Sequence, residues 1–180
     1  MRLETARLIL RPPVLTDAPA IRELAGHPDI AATTLNIPHP YPEGAAEEFI
    51  ENVRAAHEEG RGYSLAMTRK ADGVLMGMIA MRPRLEFRHA EIGYWIGRPY
   101  WGQGYTSEAA RRMVDYGFQE LNLYRIYAGY FTDNPASRRV MEKAGMTYEG
   151  TLRQHVYRFD SFHDLGYCGI LREEWEAQRA

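Results

Sequence analysis

Trp101-Gly102-Gln103-Gly104-Tyr105-Thr106-Ser107-Glu108, near the middle of the chain, has the composition of a loop that holds an anion. Glycine lets backbone approach a ligand closely, and the free N–H groups of a helix's first turn, at its positive dipole end, suit a pyrophosphate. The same residues also read as an ordinary turn from strand to helix, capped by Thr106 or Ser107, and on the loop alone the two readings stand level. A Walker loop is absent, since no G-x-x-x-x-G-K-[ST] run occurs. The dinucleotide fingerprint G-x-G-x-x-G fails at Ser107, and an antiparallel meander precedes the loop where a parallel sheet should begin.

Other residues with chemical potential lie on either side. Alternation places Glu91 on one strand face with His89, Gly93 and Trp95, where taken alone it is a solvated or salt-bridged carboxylate. Asn134-Pro135 is a good N-cap and first helical residue, and Ser137 could be a second cap. Arg138, Arg139 and Lys143 follow on the same helix and either meet a phosphate or form a solvated face. Tyr41, Phe87, His155, Tyr157 and Phe162 either rim an acceptor pocket or simply pack. The six histidines show no paired metal spacing, so no metal is expected.

These residues need a scaffold. Leu8–Arg11 reads as a strand ended by Pro12-Pro13, with Thr16-Asp17 capping a helix through Ile21, Leu24 and Ala25. Ala46 to His57 repeats at helical spacing, and the runs 63–67 and 74–80 form a hairpin through Asp72-Gly73. A strand over 90–96 leads into the loop and a long helix from Gly104. A buried strand at 124–131, a helix from Asn134 to near Gly145, and strands at 146–152, 155–159 and 167–171 complete an α/β (α+β) fold, helices flanking a mixed, mostly antiparallel sheet.

The 180 residues are 45% hydrophobic and 26% charged, which fits one soluble globular domain spanning 1–180. A net charge of −2 gives no support to nucleic-acid binding. Charges interrupt the apolar stretches of the N-terminus and no run approaches a membrane span, so neither export nor a membrane partner is expected. Cys168 is the sole cysteine and cannot form an internal disulfide, which favours a cytoplasmic setting.

Four segments together, Thr5–Pro12, Ala90–Ile96, Tyr100–Ala109 and Asn134–Met146, make the sequence resemble the GNAT superfamily of acetyl-CoA-dependent N-acetyltransferases, in particular its RimJ/RimL-like branch of ribosomal-protein N-terminal acetyltransferases. The family pattern Q/R-x-x-G-x-G/A falls on 101–106, with Trp101 for Gln or Arg and Thr106 for a small residue. The resemblance implies acetyl-CoA as co-substrate, held by Trp95, Ile96, Gln103, Gly104, Tyr105, Thr106, Ser107, Asn134 and Arg139. It implies that Glu91 is either the base or a structural carboxylate, and that a main-chain N–H between Tyr94 and Gly97 meets the oxyanion. The tyrosine that protonates the departing thiolate in many members is replaced by Met141, so that role passes to Ser137 or to bulk water.

The acceptor is then an amine. A modest base suits an α-amine of pKa ~8 better than a lysine of pKa ~10.4, which favours a protein or peptide N-terminus. Polyamines, aminoglycosides and amino-acid-like compounds are the alternatives, as is a CoA-binding sensor without turnover. The enzyme is expected as a monomer or homodimer.

Overall fold

The structure, a computed structural model, describes residues 1–179. Leu3–Glu4 (β1), Leu8–Arg11 (β2), Tyr63–Arg69 (β3), Leu75–Arg84 (β4), His89–Ile96 (β5), Arg125–Phe131 (β6), Thr147–Arg158 (β7) and Ser161–Leu171 (β8) form one sheet in the order β1-β2-β3-β4-β5-β6-β8-β7. Every neighbouring pair is antiparallel except β5 with β6. Period-two alternation makes these strands: Leu8 and Leu10 are fully buried while Ile9 and Arg11 lie on the opposite, partly open face.

Ala18–Ala25 (α1), Pro28–Ala32 (α2), Ala45–Glu58 (α3), Tyr105–Gln119 (α4), Pro135–Lys143 (α5) and Arg172–Ala177 (α6) flank the sheet. The stripe Ala109, Ala110, Met113, Val114 and Phe118 of α4 packs in one core with Met81, Ile92 and Ile126 of the strands. Each such large side chain contributes about 1.5–3 kcal/mol by leaving water. Gly117 belongs to that stripe where a larger residue would make its neighbours shift; a Cβ there would lie 2.6 Å from Ile126 Cδ1 and 2.9 Å from Met81 Cε. On the other face, Ile21 of α1 and Ala46 and Ile50 of α3 cover Ala66, Leu75 and Met78.

The expected mixed sheet and its flanking helices are therefore present, with three local differences. Asp17 does not cap α1. Its carboxylate accepts from Arg11 at 2.7 and 2.8 Å and from the Val14 N–H at 2.8 Å, which ties the end of β2 to the helix entry. The expected strands at 146–152 and 155–159 are one strand, β7, interrupted by a register shift between Leu152 and Val156. Gln154 takes a φ of +50° there and its N–H donates to Asp164 Oδ1 at 2.6 Å, so the chain bulges instead of turning. The third strand begins at Ser161, six residues before the expected Tyr167, and pairs back along β7. Among the described residues no helix is long and apolar enough to cross a membrane.

Candidate active site

β5 and β6 pair through only three positions, His89↔Arg125, Ala90↔Ile126 and Glu91↔Tyr127. Beyond Glu91 they separate, although β5 stays bonded to β4 as far as Ile96↔Gly77 and β6 to β8 as far as Phe131↔Leu165. Two strand edges thus face each other across an opening, where backbone groups are free to bond a ligand. A cavity of about 370 Å³ lies along the open edge of β5, lined by Tyr94, Trp95 and Ile96 of β5, the loop from Tyr100 to Ser107 except Gln103, the α5 residues Ala136, Ser137, Arg139, Val140 and Lys143 with Asn134, and Ile30 of α2 with Thr33 and Thr34 just after it.

The loop enters α4 through two left-handed glycines, Gly102 at φ +74° and Gly104 at φ +80°. Gly104 is the N-cap residue and has no side chain to bond the first turn, so the N–H groups of Tyr105, Thr106 and Ser107 precede the first intrahelical bond, Glu108 N–H to Gly104 O at 3.1 Å. Thr106 and Ser107 are buried and provide no side-chain cap, contrary to the plain-turn reading. The Trp101 indole N–H donates to Ile96 O at 2.7 Å and fixes the loop to the end of β5. Gln103 does not line the cavity; its side-chain amide donates to Pro99 O at 2.9 Å and its own carbonyl accepts from Arg7 at 3.1 Å.

Main-chain N–H groups alternate between the two edges of a strand. That of Gly97 donates to Met76 O at 2.8 Å, which removes it from the oxyanion candidates and points those of Tyr94 and Ile96 at the opening.

Across the opening, Asn134 Oδ1 accepts from the Ser137 N–H at 3.2 Å, so the expected capping bond is formed. Ser137 is not a second cap. Its Oγ lies 3.1 Å from the Tyr94 hydroxyl, which is also 3.0 Å from the Ser137 carbonyl oxygen. Burial holds the Tyr94 hydroxyl far above the ordinary phenol range, so it stays protonated. Met141 is buried in the core and contributes no titratable group. Arg138 pairs with Glu142 at 2.8 Å and lies over the Tyr148 ring, the solvated-face role expected for one arginine, whereas Arg139 and Lys143 line the cavity.

Glu91 sits at the last paired position before the strands part and is not in the cavity lining. Its carboxylate is 3.5 Å from Arg82. Burial and the Glu91 charge raise the hydroxyls of Tyr127 and Tyr167, which keeps both neutral beside it. The sequence pattern did not single out the Tyr94 hydroxyl, Arg82, or the Ile30 and Thr33–Thr34 wall. Alternation along 90–96 does place Tyr94 on the α5 side, but its partner is 43 residues away.

Residues 7–147 match the family described as "Acetyltransferase (GNAT) domain". The chain is 34% identical over 171 residues to the uncharacterized N-acetyltransferase YoaA of Bacillus subtilis, covering 94% of this chain and 96% of that one. It is 32% identical over 114 residues to the ribosomal-protein-serine acetyltransferase of Escherichia coli, covering 62% and 63%. The solved structure of an acetyltransferase (GNAT family) from Bacillus anthracis superposes with a TM-score of 0.86 at 28% identity, covering 96% of this chain and 99% of that one.

Proposed function

The chain belongs to the GNAT acetyltransferase family and is an acetyl-CoA-dependent N-acetyltransferase, and from that premise we propose that its acceptor is the α-amine of a protein or peptide N-terminus, attacked directly in a ternary complex by a single catalytic domain spanning residues 1–180. Acetyl-CoA supplies the activated thioester carbonyl. The residues present suit it. The uncapped first turn of α4, from Gly104 to Ser107, supports a pyrophosphate site, and Arg139 and Lys143 are cations facing the same cavity. Trp95, Ile96 and Asn134 would line the pantetheine arm, with the N–H groups of Tyr94 and Ile96 for the oxyanion and Ser137 beside the sulfur. Glu91, at the apex of the split, would accept the amine proton through water.

The observation that carries the choice of acceptor is how modest a base the site offers: among the described residues no Asp, Glu or His lines the cavity, and the strand carboxylate nearest the apex, Glu91, lies 3.5 Å from Arg82. An α-amine of pKa about 8 needs about 1 unit of help at pH 7, roughly 1.4 kcal/mol, whereas a lysine near 10.4 needs more than 3 units, roughly 4–5 kcal/mol. A relative named for ribosomal-protein acetylation supports a protein acceptor of the RimJ/RimL-like kind. The test is CoA release from acetyl-CoA with peptides whose lysines are blocked, with N-blocked lysine peptides, and with polyamines and aminoglycosides. Turnover at least tenfold faster with free α-amines supports the reading; faster turnover with polyamines or aminoglycosides replaces it.

A further inference from the structure

The Tyr94 hydroxyl faces two oxygens of one residue, the Ser137 carbonyl at 3.0 Å and Ser137 Oγ at 3.1 Å. A phenol has one proton to donate. Directed at the carbonyl, it leaves its lone pairs to draw in the Ser137 proton, and Ser137 then offers the cavity only an acceptor. Directed at Oγ, it satisfies that oxygen and frees the Ser137 proton to point into the cavity as a donor.

We propose that Tyr94 is a positioning residue that turns Ser137 into a hydrogen-bond donor for the departing sulfur of acetyl-CoA, an inference that rests on the placement of acetyl-CoA in this cavity. In the transfer, the amine nitrogen forms its bond to the acetyl carbon and the carbon–sulfur bond breaks with its electron pair on sulfur. Nitrogen loses one proton to water at Glu91, and sulfur gains one from solvent. Ser137 keeps its own proton, because an alkoxide is far more basic than a thiolate. It stabilises the sulfur charge while that charge exists, the work that a preorganised donor does best.

Without the phenol, a serine hydroxyl in the first turn of a helix turns back to the carbonyl three residues earlier, here Asn134, and withdraws from the cavity. Met141, at the neighbouring turn of α5, cannot substitute. Arg139 and Lys143 also face the cavity and favour an anion there, so a test must keep both in place.

The experiment follows the thiol of bound, free CoA by its thiolate absorbance as pH is raised, in the wild type, Tyr94→Phe, Ser137→Ala and the double variant. The bound thiol is expected to ionise about 0.5–1 unit lower in the wild type than in either single variant, a three- to tenfold effect. The double variant should match the singles, because both remove the same hydrogen bond. CoA lacking its sulfur should bind all four proteins equally. Equal thiol ionisation in wild type and Tyr94→Phe, or full additivity, overturns the proposal. Ser137→Ala reads the same bond from its other end should Tyr94→Phe fold poorly, and an unchanged thiol there also overturns it. Failure of the wild type to bind CoA at all refutes the placement of acetyl-CoA instead.

Discussion

The Glu108 carboxylate, in the first turn of α4, accepts from Arg7 twice, at 2.8 Å from its main-chain N–H and at 2.7 Å from Nε. Thr5 Oγ1 donates to it at 2.5 Å, and the Arg7 guanidinium lies 4.3 Å from the centre of the Tyr105 ring while it reaches the Gln103 carbonyl. The segment before β2 therefore clamps the loop that leads into α4, although the two are 101 residues apart.

Glu108→Gln should loosen the loop without touching the reacting atoms. A hydrogen bond to a charged group is worth about 1.5–3 kcal/mol, and the half-exposed Arg7 side chain places this one at the low end. Steady-state kinetics should show KM for acetyl-CoA raised about five- to tenfold with kcat changed less than twofold. A fall confined to kcat would remove the clamp from the binding account.

The acid side of the stability profile follows from two carboxylates. Burial by itself would raise Asp17 and Glu108, but the bonds from Arg11 and the Val14 N–H, and those from Thr5 and Arg7, hold both below their ordinary values of 3.8 and 4.5. A carboxylate lowered in the folded state stabilises it fully above the unfolded value, and that contribution is lost as pH falls through the folded value. Thermal midpoints should be flat in this respect above pH 5 and fall below about pH 4, and Asp17→Asn should lower the plateau and flatten the fall. An unchanged acid slope in Asp17→Asn would assign acid sensitivity to other groups.

Glu91→Gln keeps the shape of the strand and removes the carboxylate paired with Arg82. As a base acting through water it should be worth roughly 100-fold in kcat at neutral pH, the low end for general-base catalysis, with affinity for acetyl-CoA unchanged. The loss should shrink as pH rises and the acceptor amine becomes neutral without help. Equal activity in the variant would make Glu91 a structural carboxylate.

Arg139 and Lys143 are the cavity's cations on α5. Arg139→Ala should weaken CoA about tenfold, or 1.4 kcal/mol, by calorimetry. CoA lacking its 3′-phosphate should lose less, and the difference should narrow with added salt. The same loss for both compounds would move Arg139 away from the adenosine phosphate.

Much of this site is legible in local sequence because it is built from local rules. Gly102 and Gly104 need left-handed backbone, Asn134 before Pro135 caps a helix, and the stripe on α4 reads as one buried face. What the sequence does not reveal depends on tertiary approach. Tyr94 meets Ser137 because β5 and β6 stop pairing after Glu91, and no periodicity marks where two parallel strands part. Gln103 enters the motif through its main-chain N–H, while its side-chain amide donates to the Pro99 carbonyl four residues earlier, a contact no local pattern announces. The break expected near Gln154 is real as a change in backbone, but Asp164 holds it as a bulge within β7.

One measurement separates transfer of acetyl to an α-amine from transfer to any other nitrogen. A peptide carrying both a free N-terminus and a free lysine, incubated with acetyl-CoA and the enzyme, can be fragmented in a mass spectrometer to locate the added acetyl group. The label is expected on the N-terminal nitrogen, with lysine labelling at least tenfold lower; label chiefly on the lysine would refute an α-amine acceptor.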